Sequence, residues 1–275
     1  KIEVRKIYKK WAIVTGSTDG VGKALAFELA KRDFNLLLLS RTRSKLEKTK
    51  AEIESFAKKV QVRIKVVDFS SFGESEAKDL LEFVEPFKND IGILINNVGI
   101  AYSRPDYYHG IEKCQRDSLM AINVNSTKEM IDLFLPVMLQ NETSEGQRKG
   151  AIINMSSVSS KLPGSFVSLY SASKAFIDQL TRGLYHEYKL LGIDFQAQRP
   201  CFISTNLSKL EKSFFVCSPT EYAEASMKCI GYGCDEIPYW THKLQMMLTG
   251  LLPNYLFDAL YNYGINDLRK KTANK

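Results

Sequence analysis

The sequence predicts an α/β fold: a doubly wound parallel sheet with helices on both faces and an apolar helical extension at the C-terminal end. Three observations carry this. Short apolar runs alternate with longer amphipathic stretches between residues 11 and 198. Several of those runs are apolar on both faces, as strands of a parallel sheet buried between two helix layers are. A cluster of glycines follows the first run directly, at the opening of a helical pattern. Strands alternating with helices build βαβ units, and such sheets bind ligands beyond the carboxyl ends of their strands. Residues that do chemistry are therefore expected just after the apolar runs.

Taken in order, "WAIVT" (11–15) is the first strand, followed by a helix over 21–33. "NLLLLS" (35–40) is the second, with a helix over 43–59, and "VRIKVV" (62–67) the third, with a helix over 74–88. "IGILIN" (91–96) leads into a helix over about 111–139, "AIINMS" (151–156) into one over 168–191, and "IDFQAQ" (193–198) closes the series. "QNETSEGQRKG" (140–150) is a polar break short enough to be a surface loop. No Pro/Gly/Ser-rich linker or internal repeat divides the chain, so residues 1–275 read as one Rossmann-like domain. Within it, 206–218 reads as a lid carrying Phe214, Phe215 and Val216. Residues 236–275 are dense in Leu, Met, Tyr and Trp but interrupted by Pro253 and Asp258, and read as an apolar cover.

Composition excludes several classes. The chain is 44% hydrophobic and 25% charged, an ordinary globular balance, with no run of about 20 apolar residues to span a membrane. The net charge of +7 gathers at the two ends, in Lys1, Arg5, Lys6, Lys9 and Lys10, and in Arg269, Lys270, Lys271 and Lys275. Basic ends on a domain of mixed charge predict association with an anionic membrane surface rather than with nucleic acid, and are equally consistent with solubilising tails. No exposed aromatic platform accompanies them, as a single-strand binder would need. Five cysteines (114, 201, 217, 229, 234) form no CxxC pair, and with three scattered histidines give no zinc pattern. Free thiols on the reducing side of a membrane are expected. Of four N-x-S/T sequons, at Asn125, Asn141, Asn154 and Asn206, three fall on a helix, a strand or an active-site loop and read as chance. The first residue is lysine, so removal of an N-terminal segment is expected.

The glycine cluster is "TGSTDGVGKA". Gly16, Gly20 and Gly22, with Ser17 and Val21 among them, let the backbone turn tightly and approach a pyrophosphate at the helix N-terminus. The second strand then ends in Ser40 and Arg41, with Arg43 and Lys45 close by, where an acidic residue would otherwise receive the 2′-hydroxyl of NAD. A guanidinium suits a 2′-phosphate through paired, charge-assisted hydrogen bonds, so NADP(H) is the predicted cofactor. A merely basic helix start would oppose the helix dipole. Asp68, ending the third strand, either accepts from the adenine amino group or caps the next helix. "NNVG" (96–99) places Asn96 and Gly99 beside the adenine ribose, supporting the central sheet.

"SLYSASKAF" (168–176) sets Tyr170 and Lys174 one helical turn apart on one face, with only Ser171, Ala172 and Ser173 between. Alone, that pair says little. TGxxxGxG at 15–22, NNxG at 96–99, Ser157 and YxxxK at 170–174 nevertheless occur in one order, with Ser157 thirteen residues before Tyr170. These motifs resemble the short-chain dehydrogenase/reductase superfamily over roughly residues 10–235. "SRT", "NNVG", "AINVNS", "NMSS", "YSASKAF" and "RKKT" are similar to the branch of 17β-hydroxysteroid dehydrogenases and very-long-chain 3-oxoacyl-CoA reductases.

The resemblance implies that NADPH reduces a carbonyl carbon while Tyr170 protonates the oxygen. Lys174, together with the oxidised nicotinamide, would lower a phenol pKa that is ordinarily about 10. Ser157 would polarise the carbonyl, an oxyanion-type role. The fourth member would be an asparagine anchoring a water that leads to Lys174. Asn123 and Asn125 point about 200° apart on a helix, so only one can serve, and the "NV" pattern selects Asn123. Pro200, Ile203 and Thr205 match the pattern that holds the nicotinamide end, with Cys201 in place of the usual glycine.

The substrate is expected to be apolar, bound among 100–109, 158–169 and 206–218. A long-chain 3-oxoacyl-CoA, whose head Lys209 and Lys212 could meet, is the first reading; a 17-ketosteroid and a non-catalytic cofactor-binding scaffold are the others. The resemblance further implies a homodimer through helices 111–139 and 168–191. It also implies a place at the endoplasmic reticulum membrane, facing the cytosol, although "KKTANK" does not place lysines third and fourth from the end.

Overall fold

The computed structural model describes residues 3–273; Lys1 and Lys275 of the two basic ends lie outside them. A short helix α1 (Val4–Ile7) precedes β1 (Trp11–Thr15), α2 (Gly20–Ala30), β2 (Asn35–Ser40), α3 (Arg43–Phe56), β3 (Val62–Val66) and α4 (Glu74–Val84). Then come β4 (Ile91–Asn96), α5 (Lys113–Met120), α6 (Ser126–Leu139), β5 (Gly150–Met155), α7 (Ser168–Tyr188) and β6 (Ile193–Gln198). The chain ends in α8 (Pro219–Cys229), β7 (Asp235–Glu236), α9 (Trp240–Gly250) and α10 (Asn254–Ala273). All seven strands are parallel, in the order β3-β2-β1-β4-β5-β6-β7. The predicted α/β sheet is therefore present, and the order reverses between β1 and β4.

Alternation along the strands sorts the core into two layers. Ala12, Val14, Leu36, Leu38, Ile93 and Ile95 pack with Leu25, Leu29, Leu46, Ile53 and Met227 from α2, α3 and α8. Their neighbours Ile13, Leu37, Leu39, Leu94 and Ile152 pack with Leu80, Met130, Phe134 and Met138 from α4 and α6 on the other face. Each fully buried aliphatic side chain contributes about 1.5–3 kcal/mol. That is why the strands read as unbroken apolar runs.

Helix ends differ from expectation where local chemistry intervenes. The helix expected to reach residue 88 stops at Val84, and Pro86 sits in a 3-10 turn that follows (Glu85–Asp90). The helix expected over 111–139 begins at Lys113 and contains a π-turn, Ala121–Asn125, between α5 and α6. β7, two residues long, had no apolar run to announce it. The N-terminal basic segment is no free tail. Tyr8 is buried and donates to Asp194 at 2.7 Å, whose carboxylate also receives Arg148 at 2.9 and 3.1 Å. Asn141 and Asn154, two of the sequon asparagines, are buried as well.

Candidate active site

Where the strand order reverses, the carboxyl ends of β1 and β4 are joined by side chains rather than by a helix. Thr15 Oγ1 accepts from the N–H groups of Asn97 and Val98, both at 2.9 Å. Asn97 Nδ2 donates back to the Thr15 carbonyl at 2.9 Å and the Gly16 carbonyl at 3.3 Å. Gly16 and Gly20 have φ of +62° and +52°, the left-handed region that glycine alone enters freely. A Cβ on Gly22 would stand 2.3 Å from both Asn97 Nδ2 and the Gly16 carbonyl. This backbone, at the N-terminus of α2, fits a dinucleotide pyrophosphate.

A cleft of about 390 Å³ opens here. Of the predicted residues, Gly16, Gly20, Val21, Gly22, Ser40, Arg41, Lys45, Asp68, Gly99 and Thr205 line it. Others do not. Ser17 is fully buried, its hydroxyl donating to the Leu39 carbonyl, so it braces the turn from beneath. Asn96 is also buried, donating to Asn154 Oδ1 at 2.9 Å inside the sheet; its neighbour Asn97 is the asparagine on the cleft wall. Ile203 packs in the core, and its backbone bridges to Cys217. Pro200 accepts from Val158 N at 3.0 Å, bringing the loop after β6 against the Ser157 turn.

At the far end of the cleft from Gly99, the lining is charged. Asp68 does not cap α4, whose N-cap is Gly73; its Oδ1 accepts from Ser70 N and Ser70 Oγ at 2.9 and 2.7 Å. Those bonds, with Arg41 nearby, hold its carboxyl below the usual range. Thr18 and Ser40 share a hydroxyl hydrogen bond at 3.0 Å, beside Arg41.

The catalytic candidates converge from three elements. Tyr170 and Lys174 occupy successive turns of α7. Lys174 is buried, donates to the Met155 carbonyl at 2.9 Å, and lies 5.9 Å from the centre of the Tyr170 ring. Burial pushes its pKa down to about 8, while the Asp178 carboxylate one turn on works in the opposite direction. The ammonium form still predominates at neutral pH. Burial raises the Tyr170 pKa above the ordinary phenol value, and a hydrogen bond with Ser157 works in the opposite direction. Ser157 caps the turn Val158–Lys161, its Oγ accepting from Ser159 N at 3.2 Å, which leaves its hydroxyl proton free for Tyr170 or a ligand oxygen.

Asn123 and Asn125 are separated by burial, the first buried and the second exposed. Asn123 sits in the π-turn, a distortion often found at functional sites. Its side chain accepts from Ile100 N at 2.8 Å and donates to the Ile100 carbonyl at 2.9 Å and Ser173 Oγ at 3.2 Å. Its side chain thereby clamps the loop after β4 onto α7. Sequence reasoning missed Asn97, Ser156 and Ser173 as supports. Ser156 Oγ donates to the Lys174 carbonyl at 3.0 Å, and its only sequence signal is adjacency to Ser157.

Gly99 reports on this clamp. A Cβ there would lie 3.3 Å from Asn123 Oδ1 and 3.4 Å from Lys174 Nζ, displacing one of them by a few tenths of an ångström. Gly99→Ala is expected to lower kcat by about tenfold through misplacement. Its thermal midpoint should stay near the parent's; steady-state kinetics beside a melting curve checks both.

Comparison with known proteins agrees with this geometry. The family model described as short chain dehydrogenase matches residues 10–214. A very-long-chain 3-oxoacyl-CoA reductase-like protein of Arabidopsis thaliana is 38% identical over 92% of this chain and 80% of its own. The inactive hydroxysteroid dehydrogenase-like protein 1 of Homo sapiens is 33% identical over 98% of this chain and 81% of its own. Among solved structures, a 7β-hydroxysteroid dehydrogenase superposes with a TM-score of 0.80 at 20% identity, over 95% of this chain and 99% of that one. A family model over most of the chain, and relatives above 30% identity along nearly all of it, decide the question: the chain belongs to the short-chain dehydrogenase family.

Proposed function

We propose that this protein is an NADPH-dependent reductase of a ketone on an apolar lipid, with a long-chain 3-oxoacyl-CoA as its substrate. The observation that carries the reading is the cleft itself, cationic at Arg41 and Lys45 and lined at its other end by Gly99, which lies against Lys174. Bound NADPH would supply the hydride. The glycine turn and the start of α2 would hold its pyrophosphate, and Ser40, Arg41 and Lys45 its 2′-phosphate. Ser157 donates a hydrogen bond to the carbonyl oxygen and Tyr170 its proton to the same atom. Lys174, charged and buried, keeps the resulting phenolate from being prohibitively costly.

The relative named as a 3-oxoacyl-CoA reductase-like protein supports the thioester over a steroid. For the acyl-CoA head, Lys209 is the better-placed lid cation: it lines a second groove of about 610 Å³ beside the cofactor cleft, whereas Lys212 is paired with Glu221 at 2.9 Å. The human relative's name brings in the steroid and non-catalytic readings. Against the latter, Ser157, Tyr170 and Lys174 are all present here and assembled.

We further infer that the chain works as one unit whose lid (206–218) and extension (236–275) rest on a membrane surface, at the cytosolic face of the endoplasmic reticulum. Phe214, Trp240, Leu251 and Tyr255 are 61%, 59%, 76% and 77% exposed, apolar groups of the lid, α9 and α10, with Phe214 edge-on to Trp240. None of the described helices is long and apolar enough to cross a membrane. A homodimer through the helices at 111–139 and 168–191 is supported by Phe176, an exposed aromatic on α7.

The deciding experiment follows NADPH oxidation with a long-chain 3-oxoacyl-CoA, a 17-ketosteroid and a 3-ketosteroid. Saturable turnover of the thioester alone is expected, and turnover of a steroid alone would replace the substrate assignment. Tyr170→Phe should abolish turnover while NADPH still binds; unchanged turnover would remove the tyrosine from the chemistry. Arg41→Asp should shift the NADPH/NADH preference about 10- to 100-fold toward NADH, the loss of one or two charge-assisted hydrogen bonds. Sedimentation is expected at twice the 31.2 kDa chain mass, with flotation on phosphatidylserine-containing vesicles. A monomer that stays with the buffer contradicts both assembly and docking.

A further inference from the structure

We propose that Asp178 is a positioning residue for the reaction: one buried carboxylate that ties together the three elements carrying Ser157, Lys174 and Pro200, and sets a negative charge one helical turn from Lys174. Tyr170, Lys174 and Asp178 follow one another at intervals of four along α7, so they share a face. Asp178 is only 2% exposed. Its Oδ2 accepts from Ser160 Oγ at 2.5 Å, in the turn that Ser157 caps. The same oxygen receives Arg199 Nη1 at 3.4 Å, the residue immediately before Pro200.

The charged groups around this carboxylate come from each element packed on it. Lys174 belongs to α7 itself, Lys161 Nζ reaches from the Ser157 turn to 3.8 Å, and Arg199 comes from the end of β6. Arg199 is shared, its other nitrogen lying 2.5 Å from Asp235 of β7. Asp178 Oδ1 is buried with no hydrogen-bond partner among the described residues. A carboxylate held this way costs several kcal/mol of desolvation. A purely structural role could be filled by a smaller neutral group bonding Ser160. What a neutral group cannot do is oppose the burial of Lys174, and Asp178 acts on that ammonium in this sense.

The sign follows. Removing the negative charge leaves burial unopposed, so Lys174 gives up its proton at lower pH. Ketone reduction, which needs Lys174 charged and Tyr170 protonated, then fails earlier on the alkaline side. The inference rests on the reading of Tyr170 and Lys174 as the proton-transfer pair, so one readout avoids turnover altogether.

Lysine-selective 13C NMR of the cofactor-free protein would follow the Lys174 titration in parent, Asp178→Asn and Asp178→Glu, beside pH–rate profiles of NADPH oxidation. In Asp178→Asn both the titration and the alkaline limb of kcat are expected to move down by about one pH unit, with Asp178→Glu restoring them. A folded Asp178→Asn that loses activity evenly across pH, its Lys174 titration unmoved, overturns the proposal. A moved titration in a protein whose Tyr170→Phe variant still turns over would instead overturn the proton-transfer reading and leave the Asp178–Lys174 coupling standing. Should Asp178→Asn not accumulate folded, Lys161→Gln decides, since Lys161 is 42% exposed and reaches the carboxylate from the surface. Losing that cation is expected to move Lys174 up by a few tenths of a pH unit, a small effect because the pair is solvent-screened. No movement refutes the charge role.

Discussion

The constraint on which the rest of the structure depends is the reversal of strand order between β1 and β4. A strand in a parallel sheet ordinarily hands its carboxyl end to a crossover helix lying over the next strand. At the reversal, α2 leaves β1 toward β2 while the chain after β4 heads toward β5, so the two carboxyl ends stand side by side uncovered. Their backbone polar groups still need partners. Thr15 and Asn97 supply them with four hydrogen bonds across 81 to 83 residues of chain. Those bonds press the Asn97 amide into the space a side chain at Gly22 would need. The cleft is thus a product of how the sheet closes its own seam, and glycine at 22 is the price of that closeness.

The second consequence concerns how α7 is held at the right height. Lys174 must be buried beside the carboxyl end of β5, and sliding the helix by one residue would turn it away. A file of hydrogen bonds inside the core prevents this. Asn96 donates to Asn154, Asn154 donates to Thr181 on α7, and Thr181 donates to the Ile177 carbonyl, at 2.9, 2.9 and 2.6 Å. Ser156 reaches the Lys174 carbonyl from the end of β5. Apolar packing alone tolerates small slips, whereas a buried polar file is satisfied in one alignment only. Asn96 therefore matters to the alignment of α7 without touching the cleft: it is the first link of that file.

Much of this was legible in the sequence, and the parts that were not share a cause. The six long strands were legible because burial on both faces leaves an unbroken apolar signature. Gly16, Gly20 and Gly22 were legible because positive φ and close approach leave few other choices of residue. Tyr170 and Lys174 were legible only in company, since helical spacing cannot distinguish a catalytic pair from a solvated one. What escaped was whatever depends on tertiary pairing. Nothing in "NNVG" says which asparagine faces the cleft and which the core; the alternation of side chains out of β4 decides it. Asn123 and Asn125 part in burial, as their helical spacing implies, yet the Asn123 side chain grips Ile100 and Ser173, partners brought together only by folding.

The C-terminal extension shows the same limit from the other side, because apolar richness concealed a polar brace. His242, fully buried on α9, accepts from Cys201 N at Nδ1 (3.2 Å) and faces the Phe202 carbonyl at Nε2 (3.1 Å). The neutral ring with its proton on Nε2 satisfies both, and burial, which lowers the His242 pKa, favours that neutral form. Gln245, one turn on, accepts from Cys201 Sγ and donates to the Phe215 carbonyl at the far end of the lid. Together with the backbone bridge from Ile203 to Cys217, these contacts pin both ends of the lid to the loop that follows β6. Between the pinned ends lie Leu207, Leu210 and Phe214, exposed, with Phe214 edge-on to Trp240 of α9 at 5.7 Å. The arrangement separates two demands. The cleft keeps a rigid wall on the side of Pro200 and Thr205, while the exposed apolar tip of the lid is free to vary without disturbing either residue.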